Sequence, residues 1–385
     1  MATQESADTA LTLDDISALA NFDAEGAPVL SVYLDVPPAR RTNDGLRAAF
    51  LDLIRSLPDQ DARRESVHAA PLIDEARGRS LAIFSCAARS FLQVYHLPVS
   101  IADHVAFERK ADVGPLIALL DDYDRYVVAL VDKARARLFT IHLGAVEEQQ
   151  QMYEDIPQKH DQGGMSQNRL QRQHEEHVHW HLKDVVERLE RLARERRIDR
   201  LVLAGPVEPI SELRAMLPRA LADRLVDVAN LEFIAGDDDV LAKTLEIEQR
   251  AEREVEARAV DQLAEAVAHE RGTRGVADTL RALSMSSVMT LVVADGAGVP
   301  GVECFACRLL EPMGRDTCVA CGGPMEPTGN VVHRAMAHAI GQNASVEVVH
   351  DDAAQRLHEY EGVGAILRFP NPLVAPSDVH ASDAT

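Results

Sequence analysis

Four of the five cysteines fall in one short stretch as Cys304-x-x-Cys307 and Cys318-x-x-Cys321, and no other feature of the 385-residue chain restricts its local fold as much. Two such turns can converge four thiolates on one tetrahedral ion, with Zn–S distances of about 2.3 Å. Gly314 lies in the intervening loop, and Gly322 and Gly323 follow the second turn. The short separation suits a zinc ribbon. Four cysteines leave no free position for water, so the expected cofactor is structural zinc (Zn) rather than a catalytic ion. A pair of disulfides is the competing reading, and it belongs to oxidising compartments. Cys86 stands alone in the apolar run Leu81 to Cys86 and reads as an inert buried thiol.

The compartment is read from the rest of the chain. No segment has the run of about 18 apolar residues that a membrane span needs. Met1 to Asp15 is acidic and lacks the basic and apolar regions of a signal peptide. A cytoplasmic protein with no membrane partner is expected, which disfavours the disulfides.

A chain of 385 residues exceeds the size at which a single core stops growing, so several domains are expected. Residues 1–15 read as a disordered polar tail. Residues 16–120 read as an α+β domain, from the strand-like Val29 to Val36, Ser80 to Cys86 and Ser90 to His96 and the helical Gly45 to Leu57. Residues 121–270 form a central domain. It opens on a hairpin, Tyr126 to Asp132 with Arg137 to Leu143, and continues into a helix from about Asn168 to Arg197. Val178, Leu182, Val185, Val186, Leu189 and Leu192 recur there at helical spacing and mark one buried stripe. Leu201 to Gly205 reads as a buried strand, and a second long helix is expected from Val240 to about Arg271. Residues 271–370 read as an α/β domain carrying the knuckles at 304–321, and residues 371–385 as a second disordered tail.

Directly before the first long helix, residues 157–172 read Pro-Gln-Lys-His-Asp-Gln-Gly-Gly-Met-Ser-Gln-Asn-Arg-Leu-Gln-Arg. Gly163 and Gly164 lack Cβ atoms, so backbone there can approach a substrate more closely than other residues allow. A backbone N–H beside an ester carbonyl can stabilise the oxyanion formed when water attacks. The bland reading is a flexible turn with Ser166 as N-cap. Ser166 has no recognisable base and orienting group, so it does not read as a triad nucleophile. His174, His177 and His181 share a helical face, yet no Glu-x-x-His partner helix is evident, so they read as packing or RNA-facing groups.

This segment resembles the loop of archaeal and eukaryotic class 1 peptide chain release factors and the Pelota superfamily. In that family the loop reads Gly-Gly-Gln, then Ser, two variable residues and Arg. Gly163, Gly164, Ser166 and Arg169 fit, and Met165 stands where the family has glutamine. Pro157, Lys159 and His160 match the approach to the loop, and Glu176 and His179 match the helix after it. Further on, Gly275 to Leu283 with Val288 to Ala294 resembles the start of the family's C-terminal domain, and Gly362 to Phe369 its closing strand. The resemblance covers roughly residues 120–370 and is similar in kind to the bacterial branch, Balon-type hibernation factors included. No Asn-Ile-Lys-Ser decoding tetrapeptide is present.

The resemblance implies α/β and α+β domains in a three-domain release-factor-like architecture, with the zinc ribbon as an insertion in the C-terminal one. It implies the ribosome as partner, through rRNA and peptidyl-tRNA, and a translational GTPase as a further one. It places Gly163, Gly164, Met165 and Ser166 at the reacting ester, with Lys159, His160, Arg169 and Arg172 facing RNA. Two functions follow as expectations: codon-independent release of nascent peptide, or non-catalytic occupation of the A site of idle ribosomes. The Met165 N–H keeps a donor at the ester, whereas the glutamine amide is lost. A formal charge of −22 opposes RNA binding overall, but charge distribution matters more than its total. Acid gathers at Asp237 to Asp239 and around Glu246 to Glu256, and cations gather at Lys133, Arg135 and Arg137 and along the helix after the glycine loop.

Overall fold

The computed structural model describes residues 11–41, 43–153, 165–196, 198–312 and 314–370; for residues 43, 165–171, 173 and 196 the backbone alone is described. The chain forms two compact units, one from residues 1–122 with 253–385 and the other from residues 123–252.

The unit of residues 123–252 is built on a five-stranded sheet in the order Ala145–Tyr153, Arg135–His142, Tyr126–Val131, Arg200–Ala204, Leu225–Ala229. The expected hairpin is present, with Tyr126 opposite Ile141 in antiparallel register, whereas Arg200–Ala204 runs parallel to Tyr126–Val131. Tyr126–Val131 is the central strand, buried along its whole length. Successive side chains point to opposite faces. Val127, Ala129 and Val131 therefore join one core with the helix Met165–Arg196, while Tyr126, Val128 and Leu130 join a second core with Val240 and Ile247 of Asp237–Ala268. Ala145–Tyr153 was not recognised in the sequence. Its polar run Glu147 to Gln151 is that of a half-exposed edge strand, which needs no apolar alternation.

In the other unit the N-terminal sheet is antiparallel throughout, in the order Phe91–Leu97, Ser80–Cys86, Val29–Asp35, His104–Glu108. Its core gathers Leu30, Val32, Leu34, Leu81 and Ile83 beneath Phe50 and Ile54 of the helix Asn43–Ser56. The tail expected through residue 15 ends earlier. Leu11 is buried, and a helix Leu13–Asn21 starts from a capping box in which Thr12 Oγ1 accepts from the Asp15 N–H and Asp15 Oδ2 accepts from the Thr12 N–H.

The C-terminal part of this unit has a mixed sheet in the order Gly272–Arg274, Val363–Leu367, Val288–Ala294, Ser345–Val349. Val288–Ala294 pairs in parallel with Ser345–Val349 and antiparallel with Val363–Leu367. Between Val288–Ala294 and the helix Val331–Gly341 the chain makes a separate three-stranded antiparallel sheet, Leu310–Pro312, Gly301–Cys304 and Met325–Thr328, with Gly301–Cys304 in the middle. This small sheet carries the four paired cysteines.

Candidate functional site

The helix that follows the glycine loop runs Met165–Arg196, three residues earlier at its start than the stripe alone suggests. The stripe is the buried face: Leu182 and Val185 are fully covered, and Leu189 and Leu192 nearly so. Each such side chain contributes about 2 kcal/mol when buried, which anchors the helix on the sheet. Ser166 lies inside the first turn and is not the N-cap of this helix.

Lys159, His160, Gly163 and Gly164 lie outside the described residues, as do the side chains of Met165, Ser166 and Arg169. Arg172 is exposed on the outer face of the helix. Further along that face lies Trp180, 58% exposed, with the Lys183 ammonium 5.2 Å from its ring centroid. His179 Nδ1 is 3.4 Å from Glu212 Oε1, and His181 is buried in the packed face. The helix histidines are not among the groups of possible metal ligands that converge within the described residues.

The cations at 133–137 are used internally. Lys133 pairs with Glu208, Arg135 with Asp132, and Arg137 with Asp237 while also donating to the carbonyls of Phe233 and Ala235. The acids of the second long helix divide in the same way. Glu248, Glu252 and Glu256 lie four residues apart and are buried, so part of the acid that reads as surface charge faces inward. In the unit of residues 123–252, Arg200 sits among three carboxylates, 2.7 Å from Glu248, 3.0 Å from Asp124, and hydrogen bonded to Glu252. Burial pushes Asp124 up to about 6 against the pull of Arg200. In the other unit, His350 Nδ1 meets Glu256 at 3.1 Å and Asp122 at 3.3 Å, and these two acids raise its pKa to about 10.

The four cysteines predicted to bind metal are brought together. Their Sγ atoms all lie within 4.8 Å of one another, with Cys304 to Cys321 at 3.5 Å and Cys307 to Cys318 at 3.4 Å. Four sulfurs at about 2.3 Å from one ion are about 3.8 Å apart, so the cluster fits a metal ion. The Cys307 N–H donates to the Cys304 sulfur and, against burial, draws its thiol down to about 7. Gly322 has φ +73°, and a Cβ at Gly323 would stand 3.3 Å from the Cys321 sulfur, so both glycines shape the second knuckle. The small sheet is tied to the helix Val331–Gly341 by Glu303, which accepts from Arg334 Nε at 2.8 Å and lies 3.0 Å from His338 Nε2. Burial would raise the Glu303 carboxyl, but His338 and Arg334 hold it down to about 2. Cys86 is buried and free.

A family model described as Bacterial archaeo-eukaryotic release factor family 10 matches residues 112–249, and one for eRF1 domain 3 matches residues 254–371. Over these two regions the chain is release-factor-like. Eukaryotic peptide chain release factor subunit 1 of Stylonychia lemnae is 26% identical over 276 residues, 68% of this chain and 59% of that protein. Peptide chain release factor subunit 1 of Methanococcus maripaludis is 22% identical over 287 residues, 66% of this chain and 68% of its own length. The chain thus spans less than two thirds of the length of the first of these relatives. Among solved structures, S. cerevisiae Dom34 aligns over 80% of this chain and 78% of its own, at 9% identity and a TM-score of 0.43. No helix among the described residues is long and apolar enough to cross a membrane.

Proposed function

We propose that this protein binds the ribosome and acts at the A site, where its glycine loop releases nascent peptide by hydrolysing the peptidyl-tRNA ester without reading a codon. The observation that carries this reading is the entry of Gly163-Gly164 directly into the N-terminus of a 32-residue helix anchored on the central sheet. The first four N–H groups of a helix have no intrahelical partner and sit at the positive end of its dipole. The Met165 N–H is the first of them, and the two glycines before it let an ester approach. Loss of one such donor typically costs about a hundred- to a thousand-fold in rate.

Lys159, His160, Arg169 and Arg172 would meet RNA beside the loop, and a translational GTPase would deliver the protein. Cys304, Cys307, Cys318 and Cys321 would hold one structural zinc ion, which when bound cross-links the small sheet. Met165 favours a second reading, a hibernation factor that fills the A site of idle ribosomes, because no side-chain amide is present to place water.

Single-turnover release from stalled ribosomes separates the two. Under the first reading the wild type liberates peptide, Met165→Ala keeps most of the rate, and Gly164→Ala loses it while still binding. A wild type that binds vacant ribosomes tightly yet leaves peptidyl-tRNA intact rejects hydrolysis and leaves hibernation standing. Gain of release in Met165→Gln would then assign the defect to the missing amide.

A further inference from the structure

We propose that His104, Asp112 and His333 form a second metal site, for a divalent ion of the zinc, cobalt or nickel class. His104 opens the strand His104–Glu108, Asp112 lies in the loop after it, and His333 is in the first turn of the helix Val331–Gly341. His104 Nε2 is 2.7 Å from Asp112 Oδ2, and His333 Nδ1 is 2.9 and 3.1 Å from the two oxygens of the same carboxylate. All three donor atoms lie within 4.8 Å of one another. Imidazole and carboxylate ligands at about 2.1 Å from one ion stand roughly 3.0–3.4 Å apart. The observed separations fall at and just under that range, so a small outward movement of His104 admits the ion.

Two of the three ligands, Asp112 and His333, are placed by atoms outside the trio, as metal ligands require. The Asp112 N–H donates to Ser31 Oγ at 3.0 Å, the Tyr33 hydroxyl donates to the Asp112 carbonyl at 2.6 Å, and the Gly114 N–H reaches Asp112 Oδ1 at 3.2 Å. Ser31 and Tyr33 are fully buried. The His333 ring lies on Gly114, where a Cβ would come within 2.2 Å of ring carbon Cγ, so glycine is what allows the ring its position. Asn330 caps the helix beneath it, accepting from the N–H groups of Val332 and His333.

A proton-only network would use the same residues at the same distances, and the ligand chemistry separates the two. In such a network one N–H would be divided between two oxygens, because His333 Nδ1 stands almost equally far from both. Two imidazoles with one carboxylate suit zinc, cobalt or nickel better than magnesium or calcium. The carboxylate is 6% exposed, while the His104 and His333 side chains are 35% and 20% exposed, which gives an ion a path inward. With three protein ligands, one position is left for water.

The test uses the full chain, stripped of metal by chelation and titrated with Co(II). The wild type should bind two ions, one with an intense near-ultraviolet sulfur-to-cobalt band from the four-cysteine cluster and one with weak visible bands only. His104→Ala and His333→Ala should keep the first and lose the second, with circular dichroism confirming their fold. A wild type that takes up one ion overturns the proposal, as do folded variants that still take up two. Nitrogen NMR of the wild type needs no substitution. Zinc must displace the resonances of His104 Nε2 and His333 Nδ1, and their failure to move would show a proton-only network.

Discussion

Removing Arg200 should destabilise the unit of residues 123–252 severely and in a pH-dependent way. Its side chain is 11% exposed and serves three carboxylates, of which Glu248 and Glu252 are 2% and 6% exposed. Arg200→Ala leaves these acids without their counter-ion, and breaking a buried pair from one side costs about 3–5 kcal/mol. With a urea slope of about 2 kcal/mol/M, the midpoint should fall by roughly 1.5–2.5 M. The single tryptophan, Trp180, lies in this unit, so its fluorescence reports the relevant transition. The sign of the pH effect follows from Asp124, whose carboxyl burial already lifts to about 6. An acid with a raised folded pKa binds its proton more tightly in the folded state. Its favourable contribution is complete below the unfolded value near 4 and is lost as pH rises through about 6. Without Arg200 the Asp124 carboxyl shifts further upward, so the variant's deficit should be smaller at pH 5.5 than at pH 8. A loss under about 1 kcal/mol, equal at both pH values, would refute the account of this cluster.

Other consequences are as direct. Reversing the charges of Lys159, Arg169 and Arg172 together should weaken ribosome co-sedimentation and flatten its log–log salt dependence by about three; binding indifferent to salt and to these changes rejects the surface. Cys318→Ser should remove the thiolate-bound zinc, as measured by metal analysis and thiol titration, and lower the melting temperature, because a filled structural site contributes folding energy; a folded wild type with four free thiols and no zinc contradicts this. His350, raised to about 10 by Asp122 and Glu256, should stay protonated through pH 8 by NMR. Its stabilising contribution is complete below about 6.5 and is lost as pH rises through 10, so His350→Gln should abolish that alkaline slope; an unchanged slope would assign it elsewhere.

Where apolar periodicity and burial coincide, the sequence is a sufficient guide. Ser80 to Cys86 reads as a strand over its observed limits, and the Val178 to Leu192 stripe is the face that packs. The cysteine spacing likewise placed four sulfurs together. Elements whose polarity serves local purposes were less legible. Ala145–Tyr153 is a polar edge strand, and Leu13–Asn21 announces itself only through the Thr12 and Asp15 capping pair. Polar clusters assembled from distant segments left no local signal at all: Asp112 and His333 are 221 positions apart, and Glu248, Glu252 and Glu256 look like a solvated acidic helix until Arg200 and His350 arrive from elsewhere in the chain.

The central claim concerns where residue 165 goes, and electron cryo-microscopy of the protein on ribosomes carrying a nascent chain addresses it. With release slowed by Gly164→Ala, the account predicts the glycine loop in the peptidyl-transferase centre and the Met165 N–H within hydrogen-bonding distance of the ester carbonyl. A loop docked away from that centre, or occupancy confined to ribosomes without peptidyl-tRNA, would contradict it.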